Sequence, residues 1–482
     1  MLDIKTQVLK ITWPEQEPPA HLPNFESLAR RYRFRLLGKA CSDLGINSLL
    51  LAHHEDDQAE TIMMRLAYGH GLKGLLGIRN PAGMPECYGL HGVHESGGLD
   101  STLGGDTDQR DRISTSTACR SSRSGHQLPI ETGGVQVYRP FLSFSKLRLI
   151  VTCLAEKIEW FEDHTNKDPT ITVRNAVRHI YNNHSMPAAL TKPAILALSA
   201  RLNDRAAHRS EVVKSWLAKC KITGFETRAG TVRVRFADLN QFRESEPVWS
   251  PTDAGQIAAE LLRQIILLVT PQEHVDITSL HRAVQHIFPE LCQHSNQPLD
   301  ATAFTTSGVY FKAIQTSSFE IQPYPFGNQK CEWLISRQPY TSGTLPKLQL
   351  DVPTIEDSWS PWHLYDGRYW IRVKNLSTVP LLIQPLKREQ LSEFRASLKK
   401  VDRAGLQQLL KEKAPGNVRW TLPAIVKRGE DGKETVVALP SLDLSVNGSE
   451  SLGRWDIRYK KIYTADLSLG EGWLESLGAE SA

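Results

Sequence analysis

Over the first 93 positions, short apolar runs alternate with stretches in which apolar residues recur every three or four positions. This predicts βα units: a strand over 8–12, a helix over 25–44, a strand over 48–52 and a second helix directly after it. Such alternation is the mark of an α/β domain with a parallel sheet. Residues 94–134 are dominated by Gly, Ser, Thr and Asp and read as a disordered insertion. A strand returns over 135–142. After Ser145, the residues Leu147, Ile150, Val151, Leu154, Ile158 and Phe161 fall at helical spacing, a stripe expected to face the core. Residues 185–300 read as mainly helical, with 257–269 the clearest helix. From 301 onward short strands are broken by Pro and Gly, and one charged helix spans 387–413. No internal repeat is visible. The expected domains are 1–184, 185–300 and 301–482.

Composition adds few constraints. A chain of 482 residues has room for about three domains. No apolar run approaches the roughly 20 residues needed to cross a bilayer, which gives no membrane partner. With 57 Lys and Arg against 53 Asp and Glu, bulk charge makes no case for nucleic acid, so any such case must rest on local basic patches. Seven cysteines without a CxxC pair argue against a disulfide framework or a structural zinc. The start, MLDIKTQ, has neither a secretory signal nor the character of a transit peptide. A soluble intracellular protein is expected, with the long insertion pointing to a eukaryotic source and hence to mitochondria or cytoplasm.

The chemistry concentrates at residues 53–61, HHEDDQAET, between the apolar run 49–52 and the second helix. Open α/β sheets place their sites at such a strand-to-helix junction. Asp56 and Glu60 are four apart, Asp57 and Glu60 three apart, so either pair shares a helix face. Acids in a first turn also complement the helix dipole, so a plain capped amphipathic helix with Ile62, Met63 and Leu66 inward is the competing reading.

The block resembles the HHxDDqaET-type signature of the tRNA(Ile)-lysidine synthetases, a family of the PP-loop ATP pyrophosphatase superfamily. ESLARRYRF at 26–34 resembles the family's AR-x-x-RY segment, with Phe34 where Tyr is usual. YRPFL at 138–142 resembles its RPLL strand, and WFEDHTNKDPTITVRNAVRH at 160–179 resembles the stretch carrying RN-x-x-R. DGRYWIRV at 366–373 suggests the family's C-terminal region. The resemblance implies an open parallel sheet of PP-loop type, then a helical tRNA-contacting domain, then a mixed α+β C-terminal region with tRNA acceptor-side recognition.

One departure stands at the front. The family's strand, SGGxDS phosphate loop and helix have no counterpart ahead of residue 53, so the sheet is expected to be incomplete, with exposed apolar edges, and adenylation to fail. A literal SGGLDS occurs at 96–101, but its flanks offer neither a buried strand nor a helix.

The activity that the resemblance implies is a ligation. The wobble cytidine of tRNA(Ile) is adenylated with ATP and Mg²⁺, and free L-lysine then displaces AMP to give lysidine. Asp57 and Glu60, supported by Asp56, are the expected lysine pocket. His53 and His54 line the nucleotide side, where one of them can equally be a hydrogen-bonded core histidine. Arg30 and Arg33 are expected at ATP phosphates, and Arg139, Arg174, Asn175 and Arg178 at RNA or the active site, with ion pairing to Glu162 or Asp163 as the competing role. No metal ligands are assigned within the chain, and a homodimer is left open. Two other readings stay in play: an inactive tRNA-binding relative, and a metal-dependent phosphohydrolase using HHEDD as ligands.

Overall fold

The computed structural model describes residues 4–13, 25–101, 127–163, 168–237, 251–291, 303–315, 331–341, 343, 345–351, 358–429 and 431–463. These fall into two compact units, Met1–Gly97 with Gly133–Glu211, and Gly98–Thr132 with Val212–Ala482. Among the described residues no helix is long and apolar enough to cross a membrane.

The first unit is α/β. Its elements are α1 (Phe25–Asp43), β1 (Ser48–Leu50), α2 (Glu55–Ala67), β2 (Ala82–Gly83), β3 (Gln136–Tyr138), α3 (Lys146–Ala155), α4 (Val173–Asn183) and the start of α5 (Lys192–Lys219). The sheet order is β1-β3-β2. β1 and β3 run parallel, with Leu49 opposite Val137, and β2 is antiparallel to β3. Helix α1 turns Phe34, Gly38 and Cys41 inward, toward a small core that includes Cys87, Val93, Val135 and Val137. Gly38 is needed for that approach, because a Cβ there would lie 2.8 Å from Val93 Cγ1 and 3.1 Å from Cys87 Sγ.

Three expectations for this unit change. Residues 8–12 form no strand, and Val8 is 96% exposed. A strand is held by its ladder partners, and none of the described strands pairs with this segment. The stripe on α3 and beyond is not core: Leu147, Val151, Leu154, Ile158 and Phe161 are all exposed. Helical spacing reports an apolar face, whereas burial needs a partner surface, and none of the described elements covers this one. The insertion expected over 94–134 is structured at both ends. Gly97 bridges Gly133, Gly98–Ser101 form one helical turn, and Ile130 bridges Tyr459. Residues 102–126 lie outside the described set. Among the described strands β1 is terminal in its sheet, and Leu50 is 67% exposed.

The second unit is built on antiparallel sheets. Strands β4 (Lys221–Glu226), β5 (Thr231–Arg235), β6 (Ala303–Thr306), β7 (Val309–Gln315) and β8 (Cys331–Arg337) form one sheet of order β4-β5-β8-β7-β6. Helices α6 (Pro251–Leu267) and α7 (His281–Ile287) share its core: Ile257, Leu261, Leu262 and Ile265 join Val232, Val234, Phe311 and Ile335. Residues 185–300 therefore do not stand apart as a helical body. The β4–β5 hairpin was missed, although Thr231-Val232-Arg233-Val234-Arg235 alternates with period two and Gly230 takes the positive φ of the turn.

Further along are β9 (Leu348–Leu350), β10 (His363–Tyr365), β11 (Tyr369–Asn375), β12 (Leu381–Pro385), α8 (Gln390–Ser397), α9 (Lys400–Lys413), β13 (Pro423–Arg428), β14 (Glu434–Leu439), β15 (Leu444–Ser445) and β16 (Gly453–Tyr459). They make a five-stranded sheet, β15-β14-β13-β12-β9, and a three-stranded one, β10-β11-β16. The single charged helix expected over 387–413 is two helices.

Arg368, from the DGRYWIRV segment, ties this unit together. It is fully buried, pairs with Asp366 at 2.8 Å, and donates to the carbonyls of Ala229 (3.3 Å) and Thr421 (2.8 Å). Asp366 also holds Arg337, so its charge stays compensated if Arg368 is lost. Replacing Arg368 with Met should lower the stability of this unit by about 2 kcal/mol, because the carbonyls of Ala229 and Thr421 lose their buried donor. Urea unfolding followed at the buried tryptophans checks this, and an unchanged midpoint would refute it.

Candidate active site

All the groups of the site lie in the first unit, where α2 and α4 face each other. The apolar run 49–52 delivers the chain to His53 and His54, and α2 opens at Glu55. On α2, Asp57, Glu60 and Thr61 share a face. On α4, Arg174, Arg178 and Tyr181 do the same, at spacings of four and three. Thr172 caps α4 by accepting the Asn175 N–H at 3.1 Å.

The two faces meet as an ion-pair network. Arg178 Nε donates to Glu60 Oε1 at 2.7 Å, and Arg174 Nη1 donates to Asp57 Oδ1 at 3.2 Å. Arg178 also reaches Asp57 at 3.5 Å, and Arg174 reaches Glu60 Oε2 at 3.7 Å. Arg174 Nη2 adds a bond to Thr61 Oγ1 at 3.3 Å. Asp56 points elsewhere: Oδ1 is 2.6 Å from Lys192 Nζ, at the start of α5, and Oδ2 accepts the Lys146 N–H at 2.9 Å. Asp57 has a capping duty as well, since its Oδ2 accepts the His54 N–H at 3.0 Å.

Environment separates the carboxylates. Glu60 is only 4% exposed, and burial pushes its carboxyl above the usual range despite the opposing bond and charge of Arg178 and the charge of Arg174. Its Oε2 is buried and, among the described residues, accepts no hydrogen bond. For Asp56 burial also pushes upward, but the hydrogen bonds from Lys192 and the Lys146 N–H, with the Lys192 charge, hold it below the usual range. His53 is shifted toward its neutral form, mainly by desolvation and also by the charges of Arg139, Arg174 and Arg30, against the pull of Asp57.

The other sequence-derived candidates are placed as follows. Arg30 is bonded to Glu86 at 3.2 Å, and both Arg30 and Arg33 lie over the Phe34 ring. Arg139 is buried and donates Nη1 to the Arg79 carbonyl at 2.6 Å, while Asn80 Oδ1 accepts its N–H. Asn175 is buried and donates to the Asp168 carbonyl at 2.9 Å. Arg139 and Asn175 thus brace loops, whereas Arg174 and Arg178 join the acids directly. The competing pairing with Glu162 goes to Lys146 instead, at 3.1 Å. Lys192 and Tyr181 escaped the sequence reading, because neither belongs to a motif and only the chain's return brings them to Asp56 and Glu60.

Two alternatives lose their footing in this geometry. Among the described residues no cluster of His, Cys, Asp and Glu is placed to hold a metal ion; Asp56 and Asp57 of HHEDD are taken up by protein cations. SGGLDS at 96–101 is no phosphate loop. Ser96 Oγ is bonded to Gly92 N and the His94 carbonyl, and no described strand leads directly into the helical residues Gly98–Ser101. Asp100 pairs with Arg458 at 2.8 Å.

Residues 1–94 and 117–184 match a family model described as a PP-loop domain. A protein of Schizosaccharomyces pombe named "Probable tRNA(Ile)-lysidine synthase" is 26% identical over 429 residues, covering 88% of this chain and 75% of that protein. Proteins named tRNA(Ile)-lysidine synthase from Bradyrhizobium sp. and Rhodopseudomonas palustris are each 28% identical, over 34% and 36% of this chain. The matched part spans about a third of each bacterial relative, 31% and 34%.

The depressed Asp56 carboxyl makes a stability prediction with a definite sign. Its contribution is present above the unfolded-state value of about 3.9 and is lost as pH falls through the lower folded-state value. Asp56→Asn should therefore be less stable than the wild type at neutral pH, with the gap closing below about pH 4. Urea titrations of both proteins across that range check this; a gap independent of pH contradicts it.

Proposed function

We propose that this chain, which belongs to the tRNA(Ile)-lysidine synthase family of PP-loop proteins, joins free L-lysine to C2 of the wobble cytidine of tRNA(Ile) in an ATP-dependent ligation. The observation that carries this reading is Glu60: a buried carboxylate with a raised pKa and an oxygen without a hydrogen bond, set beside Asp57 in the unit that matches the PP-loop model.

Only a neutral amine attacks carbon, so the site must take a proton from the lysine ε-ammonium. A carboxylate of raised pKa is the better base for that task. In the transfer step the lysine nitrogen bonds to C2 of the adenylated cytidine, the C2–O bond to AMP breaks, and AMP leaves. The amine proton passes to Glu60 Oε2. Asp57 holds the incoming ammonium, Asp56 supports it, and Arg174 and Arg178 supply positive charge opposite the departing phosphate. His53, kept toward neutrality, adds no competing charge on the nucleotide side, where His54 completes the wall.

A PP-loop domain implies ATP use, which makes the cytidine oxygen a leaving group. The described residues include no glycine-rich loop between a strand and a helix to cradle its phosphates, and among them no group of three or more His, Cys, Asp and Glu is placed to hold a metal ion. In this reading Mg²⁺ arrives with the nucleotide phosphates, as is usual for that ion. What the described site provides is the acceptor half of the reaction.

That half can be tested on its own. Supplied with tRNA(Ile) already adenylated at its wobble cytidine and with labelled lysine, the protein should transfer lysine to the tRNA and release AMP. Glu60→Gln should slow the transfer by about 10²-fold or more. Absence of transfer from the adenylated tRNA, or equal rates in the variant, would sink the assignment. The same assay with unmodified tRNA and ATP reports whether adenylation also occurs.

A further inference from the structure

Lys192 does not belong to any motif, yet its ammonium lies 2.6 Å from Asp56 Oδ1 and 5.4 Å from the centroid of the Tyr181 ring. A carboxylate beside an aromatic face is the usual way to bind an alkylammonium. The location is poor for helix stability, because Lys192 opens α5 and puts a cation at the positive end of the helix dipole. Its side chain is 36% exposed, so it can leave without unpacking the unit. Among the described residues the buried Tyr181 hydroxyl has no hydrogen bond. The Glu60 charge is felt at that hydroxyl and, with burial, pushes it up to about 12. A buried orphan of this kind calls for a partner.

We propose that Asp56 and the Tyr181 ring form an ammonium subsite occupied by Lys192, an internal placeholder that the ε-ammonium of substrate lysine displaces. The inference rests on the lysine-ligating reading of the site and adds a gate to it. With the placeholder in its seat, only the fraction of molecules in which Lys192 has swung out binds lysine, and apparent affinity falls by that fraction. The same contact keeps the acids neutralised while no substrate is present, which limits non-productive binding of other cations.

The test is calorimetric binding of L-lysine, without ATP or tRNA, to the wild type and to Lys192→Met. Removing a placeholder that is seated about nine-tenths of the time should tighten lysine binding about tenfold, with no gain for norleucine, which lacks the ε-amine. If Lys192→Met does not fold, Lys192→Gln serves with the same expected gain. Unchanged or weaker lysine binding in the folded variant, an equal gain for norleucine, or no lysine binding by any of the proteins overturns the proposal. The transfer assay with adenylated tRNA separates the two ideas. Tightened binding without transfer leaves the gate standing and removes the ligation, whereas transfer with unchanged affinity does the reverse.

Discussion

The pairing of Glu60 with Arg178 is the constraint around which the site is arranged. Burying a carboxylate to 4% exposure is costly unless a cation accompanies it. The cation here comes from a helix more than a hundred residues along the chain, at 2.7 Å. Once that contact is set, the spacing on each helix brings Asp57 to Arg174 and Tyr181 to the Glu60 neighbourhood without further adjustment. Helix packing and site chemistry are therefore one arrangement: a change that frees α4 from α2 also strips the acids of their counter-charges.

The surroundings explain why Asp56 and Glu60, four residues apart, behave differently. Asp56 faces out to Lys192 and the Lys146 N–H and is easily ionised; Glu60 faces in and resists ionisation. A single helical turn separates the two environments. Groups pushed apart in this way divide holding and proton-accepting roles between them, the pattern expected where one carboxylate must stay charged and another must take up a proton.

What the sequence made legible was local. Helices α1 and α2, strand β1 and the acidic block appear where periodicity and the strand-to-helix junction put them, since these depend on neighbours in the chain. Residues 8–12 and the stripe from Leu147 to Phe161 have the right apolar pattern, yet they are exposed, because pattern describes a face and says nothing about what covers it. The β4–β5 hairpin was legible in the alternation around Val232 and Val234 but was absorbed into a region judged helical from its longer segments. Lys192 and Tyr181 carry no local signal: their roles arise only from the return of α4 and α5 to α2. Arg139 and Asn175 show the converse, residues of a recognisable motif that bond to backbone rather than to the acids.

The terminal position of β1 has a further consequence. Parallel strands are ordinarily found with neighbours on both sides and helices over both faces, yet here a three-residue strand carrying Leu50 outward forms the rim of the sheet that aims His53 and His54. Small sliding or twisting of that rim is passed to the junction, and among the described residues it is restrained by the β3 ladder and by the packing of Leu49 and Leu51 on the small core. The alignment of the histidines is therefore a property of a strand laddered on one side as much as of the acidic block itself.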